Sequence, residues 1–305
     1  MSLTDDYVKY PHRRYGIDND RYDWSILLRR DPVEWPGGAK VALWVVPVLE
    51  YFPMDTPTAP FIAPGGSTTP YPDPRTYSSR DYGSRVGAFR VFKALDKYGV
   101  RASVAFNSAV AARYPFLMNE VTRRDWEVIA HGVDMGKLHH GDLDIETERG
   151  FVQESLSMLR DMSGQRVVGW ISPARSESMN TLDLVAAQGV EYVADWVNDD
   201  MPYPLKTESG EIMSLPHTHE IGDVQVIQHM RQTEADYTEQ IIAHFDVLYR
   251  EAHTQGGRIM TLTLHPWNIG QPHRIKALED ALAHITRHDD VWSATGVEIL
   301  AAIGK

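Results

Sequence analysis

AKVALWVVPVLE, residues 39–50, decides the fold. It is a nearly unbroken apolar run that stops on an acid, the pattern of a strand buried on both faces in a parallel sheet; a half-exposed strand would alternate. Outward from it, strand and helix patterns take turns. VGAFRVFKALDKYG (86–99) has helical apolar spacing and ends at Gly99, and RASVAFN (101–107) follows as a strand. DWEVIAHG (125–132) reads as a strand, ETERGFVQESLSMLRDMSG (146–164) as a helix closed by Gly164, and QRVVGWISP (165–173) as the next strand. TLDLVAAQGV and EYVADW (181–196) repeat the unit, and EIMSLPH (211–217) and VQVIQH (224–229) supply short strands. A long helix at 235–257, the strand RIMTLTLHP (258–266), and the segments HRIKALEDALAHITRH and VWSATGVEIL complete the series. About seven such units predict an α/β fold with a TIM-like barrel in preference to an open sheet.

Two segments depart from this rhythm. Residues 1–38, rich in Tyr, Arg and Asp and ending in Trp35-Pro36-Gly37-Gly38, read as an arm on the surface of a single barrel domain, 39–305. Between residues 53 and 74 seven prolines and Gly65-Gly66 predict a long loop, a feature that in compact domains is usually functional or mobile. The 305 residues carry 30 Lys and Arg against 42 Asp and Glu, a formal charge of −12, which argues against a phosphate-binding surface and hence against nucleic acid. Cysteine is absent, which excludes disulfides, thiolate zinc sites and a Cys nucleophile. No apolar run is long enough to cross a membrane and the first residues lack a signal-peptide core, so a cytoplasmic protein acting on a small molecule is expected. The Tyr-rich arm suggests a homo-oligomer, dimer or tetramer, with the arm at the interface or wrapped on its own barrel.

Polar residues fall where the strands end. Glu50, Asn107, His131, Ser172 with Arg175, Asp195, His217 and His265 each follow an apolar run at its C-terminal side. In a parallel barrel those ends converge on one face, the face that carries catalysis. His265 in LTLHPW is the candidate general acid, since an imidazole titrates near neutrality. Glu50 is the candidate base, its proton affinity expected to rise through desolvation under the long loop. His131, followed by Gly132 for a sharp turn, is the third catalytic candidate. Tyr51, Ser172, Arg175, Asp195, Trp196, Asn198 and Trp267 are read as substrate-binding residues, with Trp170, Tyr203 and Phe52 as further pocket walls. Phe89, Phe92 and Phe245 are assigned to helix–barrel packing.

Metal spacing is incomplete. A divalent ion is commonly held by His-x-x-x-His plus a carboxylate, but the position four after His131 is Met135. His139 and His140 come next and would need the loop to fold back. His217-Thr218-His219-Glu220 is a second local cluster.

The strings RDYGSRVGAFRVFKALDKYGVRASVAFN, EVIAHG, GWISPARS, YVADWVNDDMPY, LTLHPWNIGQPHR and VWSATGVEIL occur in the order seen in the polysaccharide deacetylase (NodB-homology) superfamily, which the chain resembles from about residue 35 to 300. The resemblance is closest to the intracellular branch that includes cofactor-independent allantoinase. It implies a distorted (β/α)7 barrel and hydrolysis of a nonpeptide carbon–nitrogen bond. Metal-dependent relatives end the first strand in two acids and follow the third with HxxxH; here Tyr51 and Met135 replace one residue of each. The resemblance therefore implies an amidohydrolase for a small amide, ureide or N-acyl compound, with no tightly bound metal. In this scheme Glu50 activates water, His131 orients the carbonyl and His265 protonates the leaving nitrogen. The alternatives are a metal-dependent saccharide N-deacetylase, with a zinc-like ion on Glu50, His131 and His139 or His140, and a non-catalytic binding protein on a decayed barrel.

Overall fold

The structure, a computed structural model, describes residues 20–54 and 72–304. Its sheet contains β1 (Val41–Leu49), β2 (Ser103–Phe106), β3 (Glu127–Ala130), β4 (Gly169–Trp170), β5 (Tyr192–Val193), β6 (Tyr203–Thr207), β7 (Gly210–Ser214), β8 (Arg258–Leu264) and β9 (Val291–Ser293). The strands run in the order β6-β7-β5-β4-β3-β2-β1-β8, all pairs parallel except the β6–β7 hairpin, and β9 pairs with the first residues of β1. This is the curled, parallel-rich sheet of a distorted barrel, as the alternating pattern predicts.

β1 shows why its sequence is continuously apolar. Val41, Leu43, Val45 and Leu49 pack outward among the helices, whereas Ala42, Trp44, Val46 and Val48 pack inward with Ala105, Ile129 and Ile259. Both faces of the strand are therefore core. No backbone ladder joins β8 to β7, and side chains bridge that seam. Thr261 Oγ1 donates to Pro216 O at 2.7 Å and Thr263 Oγ1 lies 2.7 Å from His217 Nε2.

The helices are α1 (Pro74–Tyr82), α2 (Ala88–Lys97), α3 (Ser108–Arg113), α4 (Pro115–Thr122), α5 (Ile145–Ser163), α6 (Thr181–Ala187), α7 (Glu234–Gln255), α8 (Pro266–Ile269), α9 (Ile275–Ile285) and α10 (Gly296–Ala302). Gly164, at φ 69°, ends α5 in the left-handed conformation its sequence predicts. Phe92 and Phe245 are buried and Phe89 packs beside them, as assigned from helical spacing. VQVIQH is the clear difference: Val224–His229 forms a π-helical turn, not a strand. Its alternation also suits a tight turn that buries Val226 and Ile227, and the turn lets the preceding Asp223 reach His265. α1 and the helices of 108–122 add regular structure where the sequence offered no clear period. Pro74 at the first turn of α1 and the Asp73 carboxylate, accepting from Arg75 N and Thr76 N, start that helix.

The described part of the arm lies on its own barrel. Arg21 pairs with Asp183 at 2.7 Å, Asn198 Nδ2 donates to Tyr22 OH at 3.0 Å, and Trp35 is buried with its indole N–H on Arg258 O.

Candidate active site

The C-terminal ends of β1, β3, β4 and β8 open into a cavity of about 150 Å³, lined among others by Glu50, His131, Arg175, His219, Gln225 and His265. A larger groove, about 630 Å³, lies at the opposite end of the strands. There Glu127 is spent on Ser103, Tyr192 and the Gly296 N–H, so that end is a structural plug.

Glu50 sits one residue past β1, its side chain 8% exposed. Its Oε1 lies 3.9 Å from His131 Nε2, and Trp267 Nε1 donates to its Oε2 at 3.2 Å. The Arg80 guanidinium stacks 3.3 Å from the Trp267 ring centroid and 4.9 Å from that of Phe52. Burial works to raise the Glu50 proton affinity, as the sequence reading expects, but His131, His265 and Arg80 outweigh it and hold the group down at about 2. The expectation of a raised Glu50 is thus corrected: it is an ionised carboxylate throughout the ordinary pH range. Arg80 itself is lowered to about 9 by burial, with Glu50 and Asp223 opposing.

His131 Nδ1 lies 2.8 Å from Ile171 O, so this nitrogen carries the proton and donates to the carbonyl. Its Nε2, a buried atom without a hydrogen-bond partner among the described residues, faces Glu50. Gly132, at φ 64°, makes the turn behind it, and a Cβ there would meet Pro173 Cγ at 2.4 Å. His265 caps β8 with Nδ1 2.8 Å from Asp223 Oδ1. Burial lowers the His265 proton affinity, yet Asp223 and Glu50 more than offset it, leaving the imidazole above its usual range. Asn268 Nδ2 also donates to Asp223, at 3.0 Å.

Close glycine contacts seat this end of the site. A Cβ on Gly87 would lie 2.0 Å from Pro266 O, and one on Gly83 would lie 2.8 Å from Trp267 N. The turn Gly83–Gly87 is therefore pressed against α8, which brings Trp267 to Glu50.

The substrate-binding candidates divide. Arg175 lines the cavity, and Trp267 reaches it through Glu50. Ser172 is fully buried, its Oγ accepting from Trp170 Nε1 and its N–H donating to Asp195 at 2.8 Å. Trp196 donates to Glu177 at 2.9 Å, and Asn198 is held between Tyr22 and Tyr203, so these two brace the surroundings. The Tyr51 ring faces Arg113, 4.4 Å from its guanidinium, and Tyr77, away from the cavity wall. Of the further pocket walls, Trp170 is core, and neither Phe52 nor Tyr203 lines the cavity. His217 is consumed by Ala194 O and Thr263, and burial holds it well below its usual range.

The alternative ion-binding set is not assembled. His139 is fully buried with Nδ1 on Glu148 at 2.9 Å and its ring against Trp170, and His140 is exposed. Among the described residues no group of three His, Asp or Glu is placed to hold a metal. Residues the sequence reading missed are Asp223, Arg80 and Glu177. Asp223 follows no strand, and Arg80 entered only within a resembling string. Glu177 is two residues past Arg175, an adjacency that was its one signal. Burial and the Asp195 charge push Glu177 up to about 9, and burial also raises Asp195.

Comparisons with known proteins agree with this fold. The sequence model of the polysaccharide deacetylase family matches residues 69–193. A Schizosaccharomyces pombe protein named as a polysaccharide deacetylase is 26% identical over 239 residues, 73% of this chain and 74% of its own length. A Pseudomonas aeruginosa PAO1 structure named as a polysaccharide deacetylase superposes with TM-score 0.78 and 26% identity, covering 90% of this chain and 94% of that one. An allantoinase structure (Puue) is similar in fold, with TM-score 0.81 and 24% identity over 92% of this chain and 97% of that one. Fold and site define a distorted α/β barrel with an acid–histidine cleft at its C-terminal face. Over residues 69–193 the chain is similar to the polysaccharide deacetylase family, and its fold, shared with polysaccharide deacetylase and allantoinase structures, supports a carbon–nitrogen hydrolase.

Proposed function

We propose that the protein hydrolyses the carbon–nitrogen bond of a small amide, ureide or N-acyl compound by acid–base catalysis. The supporting observation is that Glu50 and His265 share one cavity while their surroundings move their proton affinities apart, one held down and the other up. Such a separation is how a site runs base and acid work at one pH. A water held between Glu50 Oε1 and His131 Nε2 gives up its proton to this pair as its oxygen bonds to the carbonyl carbon. His265, protonated beside Asp223, gives its proton to the leaving nitrogen as the carbon–nitrogen bond breaks. Glu50 alone would be too weakly basic, so its charge orients the water and stabilises the proton on the pair.

The cavity, at about 150 Å³, is below the roughly 300–1,000 Å³ of pockets for drug-sized ligands, which favours a small substrate over a polymer. The test is a panel of ureides, cyclic amides and N-acyl compounds with wild type, Glu50→Gln and His265→Ala. Turnover by wild type that falls about 10²–10⁴-fold in each variant is expected. Full turnover in both variants would refute the assignment.

A further inference from the structure

Arg175 is a second, differently placed charge in the same cavity. Its guanidinium lines the wall with Glu50, His131 and His265, yet makes no hydrogen bond or ion pair among the described residues. Asp195, the carboxylate whose charge acts on it, stays beyond ion-pair distance and is occupied by the Ser172 N–H at 2.8 and 3.1 Å. A guanidinium has a rigid fork of donors matched to a carboxylate, and here the fork is partly buried at the cavity wall with no carboxylate among the described residues to fill it, which is the arrangement a ligand carboxylate completes.

The backbone is built to hold it there. Ala174 and Arg175 both adopt left-handed φ, 55° and 54°, though neither is glycine. Strain of this kind persists where the surroundings over-determine it, characteristically at ligand clamps. The surrounding bonds do so here. Arg175 N donates to Ser172 O, Ser176 Oγ to Pro173 O, and His139 N to Ser176 Oγ, while Ser178 and Thr181 donate to the buried Glu148. His219 and His229 line the same wall and add no negative charge.

Taking the hydrolase reading as its basis, we infer that the substrate is an anion: a small N-acyl or N-carbamoyl amino acid whose carboxylate is held by Arg175 while its amide faces Glu50, His131 and His265. Water adds across the carbon–nitrogen bond, the acyl carbon keeping the oxygen and the amino nitrogen taking the proton, so no co-reactant is needed. Arg175 is a specificity-determining residue in this scheme and takes no part in the proton transfers.

N-acetylglycine and N-carbamoylglycine, each beside its neutral methyl ester, test this with two readouts, release of free amine and equilibrium binding to the intact protein. We expect kcat/KM for the acids to exceed that for the esters tenfold or more, and Arg175→Gln to reduce that ratio to about one, chiefly through KM. The acid-to-ester ratio in wild type needs no variant, so a misfolded Arg175→Gln leaves the test intact. Esters cleaved as well as the acids would overturn the anion proposal and leave the hydrolase reading standing. Tenfold tighter, Arg175-dependent binding of the acids without any turnover would support the anion site and count against the hydrolase reading. The absence of both turnover and preferential binding of the acids would overturn the proposal.

Discussion

Asp223 Oδ1 lies 2.8 Å from His265 Nδ1, and the same carboxylate takes the His265 backbone N–H at 3.1 and 3.2 Å. Ring and backbone of His265 are thereby fixed by one buried group, so the nitrogen left to face the cavity is Nε2. An ionised Asp223 holds the imidazolium; an amide there could donate to Nδ1 and stabilise the wrong tautomer.

Asp223→Asn should therefore lower turnover about 10²–10⁴-fold, the range for a positioned general acid. His265 is raised in the folded protein, so its protonated, active form predominates at low pH and activity is lost as pH rises through that value. In Asp223→Asn the alkaline limb should move to lower pH. A pH–kcat/KM profile checks this, and an unmoved limb would detach Asp223 from the acid. The same coupling should stabilise the fold below the unfolded His value of about 6.5 and fade as pH rises through the folded one.

Glu50 sets the opposite limb. Held at about 2, it contributes stability above the unfolded Glu value of about 4.3 that is lost as pH falls through about 2. Arg80→Met removes one of the charges that depress it and uncovers the Trp267 ring. The acid limb of activity should shift upward, and the fold should lose about 1–2 kcal/mol. Activity profiles of both proteins between pH 3 and 6 would reveal the shift.

Gly87 tests the packing behind the site. Its φ of −62° is available to any residue, so space is the constraint: the missing Cβ would stand 2.0 Å from Pro266 O. Gly87→Ala should cost about 1–3 kcal/mol, the range for overpacking, and should displace α8 with Trp267. Denaturant unfolding gives the first quantity, and quenching of Trp267 fluorescence, against a Trp267→Phe control, gives the second. A stable Gly87→Ala with native quenching would show that the turn yields more freely than its contacts suggest.

Chelation tests the side-chain chemistry. His139 is tied to Glu148 and His140 is exposed, so neither can join Glu50 and His131 without the 134–144 loop refolding. Catalysis by the proposed acid–base groups should survive prolonged chelator treatment within about twofold, a change worth about 0.4 kcal/mol in the barrier. Loss of activity restored by one equivalent of zinc, with elemental analysis to match, would overturn the metal-free reading.

The strand ends were the legible part of the site. Parallel strands put their C-termini on one face, so Glu50, His131, Arg175 and His265 could be placed together from apolar runs alone. β1 and β8 were legible for the same reason, each buried on both sides. What the period could not supply was any partner arriving from a loop. Asp223 precedes a turn whose alternation mimics a strand, and Arg80 lies in α1, whose side chains show little apolar periodicity. Tyr51 illustrates the converse: adjacent to Glu50 in sequence, it points its ring the other way, because successive residues of an extended chain alternate. The proton affinity of Glu50 departs from the sequence expectation because desolvation can be read from an apolar strand, whereas the opposing groups, His131, His265 and Arg80, arrive from elsewhere in the chain.

Glu177 offers a stability test outside the reacting groups. Its Oε2 accepts from Trp196 Nε1 at 2.9 Å, while burial and the Asp195 charge favour the protonated acid and raise it to about 9. A raised carboxyl contributes fully below the unfolded value of about 4.3, and that contribution is lost progressively as pH rises toward 9. Gln is the neutral replacement: its carbonyl can accept from Trp196, and it brings no charge beside Asp195. Glu177→Gln should therefore leave the melting temperature nearly unchanged at pH 4 and raise it by several degrees at pH 8, since about 1 kcal/mol moves a chain of this size by roughly 2–4 °C. Melting curves of the two proteins at both pH values decide it. A lower melting temperature for the variant at pH 8 would mean that Glu177 is ionised in the fold and that its charge, not its proton, holds the Asp195 side of the site.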